Sequence, residues 1–160
     1  TVACATAAAG TPVKFFWRRE DEMERGWFRP AQMARLRLAV DQAGKPTALH
    51  IRTSGPSMRE EFLPGSMKPG DLDPSSVQDL GNMRYRAGAY RLEWVRRHIP
   101  VTVAPWRAVG ATQNAFFLEC FIDEAAAALG KDPVAFRKEL LAHDPRAVKV
   151  VETAAAKGGW

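Results

Sequence analysis

The chain is poor in the side chains from which proteins usually build metal sites. Among its 160 residues are two cysteines and three histidines. Cys4 and Cys120 lack the C-x-x-C spacing of a zinc site and cannot form one alone, and His50, His98 and His143 are scattered along the sequence. The sequence therefore predicts no metal site made of protein ligands, and it leaves the two cysteines either free or paired.

Long apolar segments are also missing. The longest candidate, residues 114–129, is interrupted by Glu119, Asp123 and Glu124, whereas a helix needs about 20 apolar residues to cross a bilayer. The sequence predicts no membrane span.

The amino terminus has neither an initiator methionine nor the basic start of a signal peptide. Residues 1–10 instead have the composition of an alanine-rich helix that ends at Gly10. A helix that shows its end without its beginning favours an internal fragment of a longer protein over a cleaved or trimmed start. Neither interpretation identifies the cellular compartment.

Charge is not concentrated along the chain. The formal net charge is +5, but the arginines are dispersed, and no zinc-finger, RNP or KH pattern is present. A solvated basic surface is the favoured interpretation. The alternative is a stand-alone basic α+β module that binds an acidic partner or nucleic acid.

Strand patterns dominate the first half of the sequence. A β-prone run at 12–17 is followed by a hairpin, in which residues 34–40 and 47–53 flank a turn and present one apolar face, with Leu36, Leu38 and Val40 on the first strand. Strand character returns at 90–95 and 101–103. Between these elements, residues 54–82 have no sustained period, which predicts either a long ordered excursion or a flexible loop.

The last third predicts three helices with clear boundaries. Residues 114–129 carry apolar side chains at helical spacing, and Gly130 stands where a C-terminal cap belongs. Asp132 and Asp144 each precede a proline, which is an N-cap signal, and Gly158-Gly159 ends the last helix. Strands followed by helices predict an α+β fold.

One segment, residues 106–113, joins a strand end to the first of these helices. The amino terminus of a helix offers free N–H groups to an anion or an oxo group, and Arg107 and Gln113 could add a charge and an amide to the same space. The alternative is a loop arginine paired with a carboxylate, with Trp106 as core filler.

This segment resembles a motif of the xanthine dehydrogenase/aldehyde oxidase family of molybdenum hydroxylases. The family pattern F-R-G-F-G-G-P-Q stands here as W-R-A-V-G-A-T-Q, so Arg107, Gly110 and Gln113 match in register and Trp106 replaces another aromatic residue. Glutamates follow six and eleven residues after the glutamine, as in the family. The resemblance covers about residues 10–160, including P-V-K at 12–14 and R-E-D-E-M at 19–23.

The segments F-R-P-A at 28–31 and F-I-D-E at 121–124 are most similar to the branch of isoquinoline 1-oxidoreductase β subunits and related aldehyde dehydrogenases. The resemblance implies one partial molybdopterin-binding domain over residues 1–160. Its strand-rich part would span 11–103 and contain the loop at 54–82, its cofactor loop would span 104–113, and its helical part would span 114–160.

The resemblance also implies an activity and a set of partners. The full-length parent would be an oxidoreductase that hydroxylates an N-heteroaromatic or aldehyde substrate with water as the oxygen source. It would hold a molybdenum–molybdopterin, in the cytosine dinucleotide form. Electrons would pass to a small subunit with 2Fe–2S clusters, and a cytochrome c is a candidate acceptor. The branch suggests a periplasmic location, and nucleic acid is not expected as a partner.

The expected site residues come from the same motif. Trp106, Arg107, Ala108, Gly110 and Gln113 are expected to bind the cofactor. No catalytic residue is expected within this chain, because the family's G-G-G-F-G pterin loop and G-V-G-E glutamate segment are not found in it, so these residues alone are expected to be inactive.

Two departures from the family pattern concern the substrate. Val109 is expected in the substrate pocket, where xanthine-oxidising members have a phenylalanine. Near residues 75–77, where those members place a substrate-orienting arginine, this sequence has none. Both departures argue against a purine substrate.

Overall fold

The computed structural model describes residues 2–160, and its centre is a three-stranded sheet. Strand β1 (Met33–Val40) pairs antiparallel with β2 (Pro46–Gly55), which pairs parallel with β3 (Ala89–Arg96). Six helices accompany the sheet: α1 (Val2–Ala9), α2 (Arg19–Arg25), α3 (Met58–Phe62), α4 (Ala111–Ala128), α5 (Pro133–Leu140) and α6 (Pro145–Gly158). The predicted α+β class is confirmed.

The β1–β2 hairpin forms where the alternating pattern predicts it. Its turn is held by the Asp41 carboxylate, which accepts hydrogen bonds from the N–H groups of Ala43 and Lys45, each at 2.9 Å. Leu36 and Leu38 pack against the core. Val40 does not, because a register shift after Ala39 turns it outward, and its side chain is 39% exposed.

The core lies between one face of the sheet and the helical block. Helix α4 supplies its buried stripe at the i, i+4, i+8 spacing that its sequence shows. Strand β2 contributes alternate residues, as expected for a strand buried on one side. The buried cluster consists of Leu49, Ile51, Leu80, Ala87, Leu118, Ile122, Ala126, Phe136 and Leu140.

The predicted helix boundaries are largely confirmed. Helix α4 begins at Ala111, three residues before the predicted start, and Gly130 adopts φ +64° just beyond its end. The carboxylates of Asp132 and Asp144 accept hydrogen bonds from the N–H groups three residues later, at 2.7 and 3.1 Å. Gly159 is left-handed after α6. The predicted amino-terminal helix is present as α1, apart from Thr1, which lies outside the described residues.

Two predicted strands are wrong in part or entirely. Residues 12–17 form no strand, and Phe15, Phe16 and Trp17 are 41%, 70% and 53% exposed. The β propensity of this run has no effect because no partner strand lies beside it. At 101–103 only Val103 pairs, through a single parallel bridge to Phe28.

The segment at 54–82 is an ordered excursion rather than a flexible loop. It contains α3 and is organised by Asp73, whose side chain is fully buried. The Asp73 carboxylate accepts hydrogen bonds from the hydroxyls of Ser57 (2.6 Å), Ser75 (2.6 Å) and Ser76 (3.1 Å) and from the N–H groups of Ser75 (2.8 Å) and Arg59 (3.2 Å). A buried carboxylate with this many donors fixes the backbone around it.

Among residues 2–160, no helix is both long and apolar enough to cross a membrane. The same residues contain no cluster of three or more histidine, cysteine, aspartate or glutamate side chains suited to a metal ion.

We expect Asp73→Asn to lower the free energy of unfolding by about 3 kcal/mol, because the amide nitrogen cannot accept and leaves buried hydroxyls unpaired. Burial acts to raise the pKa of the Asp73 carboxyl, but the donors of Ser57, Ser75 and Arg59 outweigh burial and hold the pKa below its ordinary value. The stabilisation by the carboxylate should therefore be complete above its unfolded pKa and be lost as the pH falls through the lower folded pKa.

Urea denaturation as a function of pH measures both effects. Asp71→Asn is the matched control, because Asp71 is exposed and its carboxylate accepts one bond, from the Lys68 N–H at 2.8 Å. Equal stability losses for the two variants would contradict a special role for Asp73.

Candidate functional site

The segment at 106–113 is brought into position by a short pairing with distant residues. The Phe28 N–H donates to the Thr102 carbonyl at 3.0 Å, and the Ala104 N–H donates to the Phe28 carbonyl at 3.2 Å. This pairing places Arg29 beside the loop. The Arg29 guanidinium donates to the carbonyls of Val109 (3.2 Å) and Arg107 (3.0 Å), so two loop carbonyls point inward towards Arg29.

The loop backbone is left-handed at two non-glycine residues. Ala108 has φ +64° and Val109 has φ +43°, a region that costs L-residues about 1–2 kcal/mol each. The turn is closed by the Val109 N–H, which donates to the Trp106 carbonyl at 2.6 Å, and the Thr112 hydroxyl donates to the Arg107 carbonyl at 3.3 Å. The structure holds this strained turn through these bonds and those from Arg29.

Gly110 is required by a close backbone approach. A Cβ atom at this position would lie 2.1 Å from the Ser75 carbonyl oxygen and 3.3 Å from Cβ of Gln78. Because Gly110 itself has an ordinary helical φ of −70°, its need for glycine is steric rather than conformational. The contact joins the start of α4 to the ordered excursion.

Asn114 strengthens the same junction. Its side chain is fully buried, and its Nδ2 donates to the carbonyls of Ser76 (3.0 Å) and Gln78 (2.9 Å). The loop is therefore fixed to the excursion on one side and to Arg29 on the other.

The expected cofactor residues do not all face one space. Trp106 is 55% exposed and lines a groove of about 770 Å³ with Trp27, Phe28 and Phe62 among its other walls. Arg107 and Ala108 are also exposed, but Gly110 is buried. The amide of Gln113 is buried away from this groove, and neither its oxygen nor its nitrogen has a hydrogen-bond partner within residues 2–160.

Several donors of the segment are left free. The side chain of Arg107 takes part in no ion pair or hydrogen bond among the described residues, unlike the paired loop arginine of the alternative interpretation. The first N–H groups of α4 point out of its amino terminus, as in any helix. A guanidinium, helix N–H groups and an unpaired amide are chemically suited to phosphate, pterin or oxo acceptors.

The expected substrate-side residues lie at the same junction. Val109 is half-buried. The excursion contacts the loop at Ser75, and the residues there, Ser75 to Val77, include no arginine.

The two glutamates in register with the family differ in environment. Glu119 accepts hydrogen bonds from the Tyr85 hydroxyl at 3.0 Å and from the Arg137 guanidinium at 3.0 Å. Burial, together with the Glu119 charge, raises the pKa of Tyr85 to about 12. Glu119 therefore joins α4 to α5 and to the segment before β3, whereas Glu124 is exposed.

The sequence did not assign roles to Arg29, Ser75 or Asn114. Arg29 lies about 80 positions from the carbonyls that it binds, and no local pattern signals such a contact. The one indication in the sequence was Gly110 itself. It keeps the glycine of the family pattern, whereas Ala108 and Ala111 replace glycines, and this indicates a close approach of backbone at position 110.

The fold and the site define a class of protein: an α+β domain with a constrained loop and helix terminus suited to an anionic cofactor. Residues 1–141 match the molybdopterin cofactor-binding domain family. The chain belongs to this family, and it forms part of a molybdenum-binding subunit of the xanthine oxidase type.

The curated relatives are oxidoreductases. The chain is 30% identical to the β subunit of isoquinoline 1-oxidoreductase from Brevundimonas diminuta, over 96% of this chain and 20% of the relative. It is 31% identical to a nicotinate dehydrogenase subunit from Pseudomonas putida, over 96% of this chain and 13% of the relative.

It is also 32% identical to a membrane-bound aldehyde dehydrogenase of Gluconacetobacter polyoxogenes whose name specifies pyrroloquinoline quinone, over 84% of this chain and 18% of the relative. The chain thus spans about a fifth or less of the length of these relatives.

Two neighbouring substitutions should change stability in opposite directions. Gly110→Ala should lower the free energy of unfolding by about 2 kcal/mol or more, because the new Cβ collides with backbone. Ala108→Gly should raise it by up to about 1 kcal/mol, because glycine adopts the left-handed turn without the steric cost.

Thermal and urea denaturation of both variants would test this pair. Ala111→Gly serves as a control for the general cost of glycine in the first turn of α4. A stable Gly110→Ala variant would show that the loop does not approach Ser75 as described.

Proposed function

We propose that the chain forms one wall of the cofactor site in the large subunit of a molybdenum hydroxylase. The observation that carries the proposal is the constrained loop at 106–113, which presents an exposed Arg107 without an ion pair or side-chain hydrogen bond among residues 2–160 and leads directly into the amino terminus of α4. The family match and the oxidoreductase relatives support this function. They favour it over a stand-alone basic binding module.

The residues at the loop fit a molybdenum–pterin cofactor. Arg107 and the N–H groups of Ala111 and Thr112 would bind its anionic oxygens, and the Gln113 amide would donate to it once the surrounding chain is complete. Trp106 and Ala108 would contact it through the exposed face of the turn. The cofactor would supply the two-electron redox chemistry, while these groups orient it and polarise its ligands.

We propose an N-heteroaromatic or aldehyde substrate, hydroxylated with oxygen from water. The names of the relatives support both classes, since they specify isoquinoline, nicotinate and aldehydes. Val109 would border the substrate with a small aliphatic surface. The absence of an arginine at Ser75 to Val77, beside Gly110, argues against purine oxidation.

The remaining parts of the activity are assigned to residues outside this chain. We propose that the pterin loop and the catalytic glutamate come from other parts of the parent protein, so residues 1–160 alone are inactive. The cofactor would be the cytosine dinucleotide form. A small 2Fe–2S subunit would accept the electrons, with a cytochrome c as a further acceptor, and a periplasmic location follows the branch that the sequence resembles. Several relatives are named as subunits, which supports a multi-subunit enzyme.

We expect Gln113→Met to separate cofactor binding from folding. An apolar side chain of similar length removes an unpaired buried amide, so the stability of the apoprotein should be unchanged or higher. Molybdenum content or kcat/KM should nevertheless fall by about tenfold or more, because an amide donor to the cofactor is lost. Arg107→Gln should lower the same two quantities while leaving stability unchanged.

The intact gene product is prepared from a host that makes the cofactor, and its molybdenum and pterin contents are measured. Its turnover is measured with isoquinoline, nicotinate, benzaldehyde and xanthine. Arg146→Gln on the exposed face of α6 is the control. A wild-type protein without molybdenum would refute the proposed function. Full cofactor content and activity in both variants would refute the assignment of the loop.

A further inference from the structure

The outer face of the sheet, opposite the core, carries a compact cluster of positive charge. Strand register places Arg35, Arg52 and Glu93 in one row across the three strands, and Arg37, His50 and Arg91 in the next row. Residues directly opposite each other share a face, so all six belong to the same side. We call these six residues the arginine face.

The positive charge of the arginine face is not balanced within the chain. Glu93 is its one carboxylate and is already occupied, because it binds His50 Nε2 at 2.8 Å and Arg91 Nη2 at 2.6 Å. Arg35, Arg37 and Arg52 are exposed and take part in no ion pair among the described residues.

The register makes this arrangement costly for the isolated sheet. Arg35 stands directly opposite Arg52 in the antiparallel β1–β2 pair. Like charges in directly opposed positions destabilise a sheet, whereas opposite charges would stabilise it. The two opposed arginines lower the stability of the isolated sheet. This cost favours an external anionic partner that neutralises them over a surface that binds nothing.

Two further rows flank the charged rows on the same face of the sheet. One is Ala39, Ala48 and Ala89, and the other is Met33, Ser54 and Val95, in which Met33 is 75% exposed. Strands β2 and β3 are parallel, and parallel strands are usually covered on both faces. Because the four arginines occupy the two central rows, a cover for this face has to bring carboxylates to them.

We propose that the arginine face is a docking surface for an acidic segment of a partner polypeptide. Strands lie about 4.8 Å apart and alternate residues about 6.6 Å apart, so the charged rows cover about 10 by 7 Å. That area accommodates two or three carboxylates. It is too small for the six to ten phosphate contacts typical of strong nucleic-acid binding.

The test uses the intact gene product and a fluorescently labelled decaglutamate peptide, followed by fluorescence anisotropy at about 0.05 M and 0.3 M salt. The paired variant Arg35→Gln/Arg52→Gln should weaken peptide binding by at least about fivefold at the lower salt concentration. The control Arg146→Gln/Lys149→Gln removes the same charge from exposed positions on α6 and should bind the peptide as the wild type does.

Thermal stability provides a second readout that tests the like-charge argument separately. Removing the opposed arginines should raise the Tm of the free protein by about 1–3 °C at low salt, because repulsion across the strands is relieved. The gain should shrink at high salt. A variant that is more stable yet binds less tightly is the result expected of a docking surface.

Three outcomes would overturn the proposal. The first is that the wild type fails to bind the peptide at low salt, as it would if another part of the same polypeptide covered the face. The second is equal weakening by the α6 control, which would indicate nonspecific attraction. The third is that a single-stranded oligonucleotide of equal charge binds more tightly than the peptide in a manner dependent on Arg35 and Arg52.

Discussion

The contact between Gly110 and the Ser75 carbonyl connects the two halves of this molecule. It allows the first turn of α4 to lie directly on backbone of the excursion between β2 and β3, with no side chain between them. Asn114 can then donate to two carbonyls of the excursion, and the turn before α4 is held in a left-handed conformation. The excursion can provide this surface because the buried Asp73 gathers its hydroxyls and N–H groups.

The candidate site is therefore built from backbone rather than from a cluster of side chains. The Arg29 guanidinium binds the carbonyls of Val109 and Arg107, and the Arg107 guanidinium itself has no ion pair or side-chain hydrogen bond among the described residues. Such a loop can bind an anionic cofactor through N–H groups and a guanidinium, without any protein ligand to a metal. Under the proposed function, this loop would position the cofactor, and the cofactor would supply the redox chemistry.

Prediction from the sequence succeeded where an element depends on residues close together in the chain, and it failed where an element depends on distant residues. The hairpin and the three carboxy-terminal helices depend on alternation, caps at Asp132 and Asp144, and glycines at their ends, all of which are local. The run at 12–17 had the composition of a strand but no partner, so it remained without regular structure. The excursion at 54–82 had no period, and its order comes from contacts of Asp73 that span up to 16 positions.

The sequence by itself determined the family, and it predicts where the cofactor site lies. The spacing of Arg107, Gly110 and Gln113 is sufficient for that because a motif keeps its register whatever surrounds it. Only the tertiary structure decided that Gln113 is buried apart from Trp106, that Arg29 holds the loop, and that four arginines share one sheet face. These features are contacts between residues that are far apart in the sequence. Such contacts depend on how the strands and turns pack, which no local sequence pattern encodes.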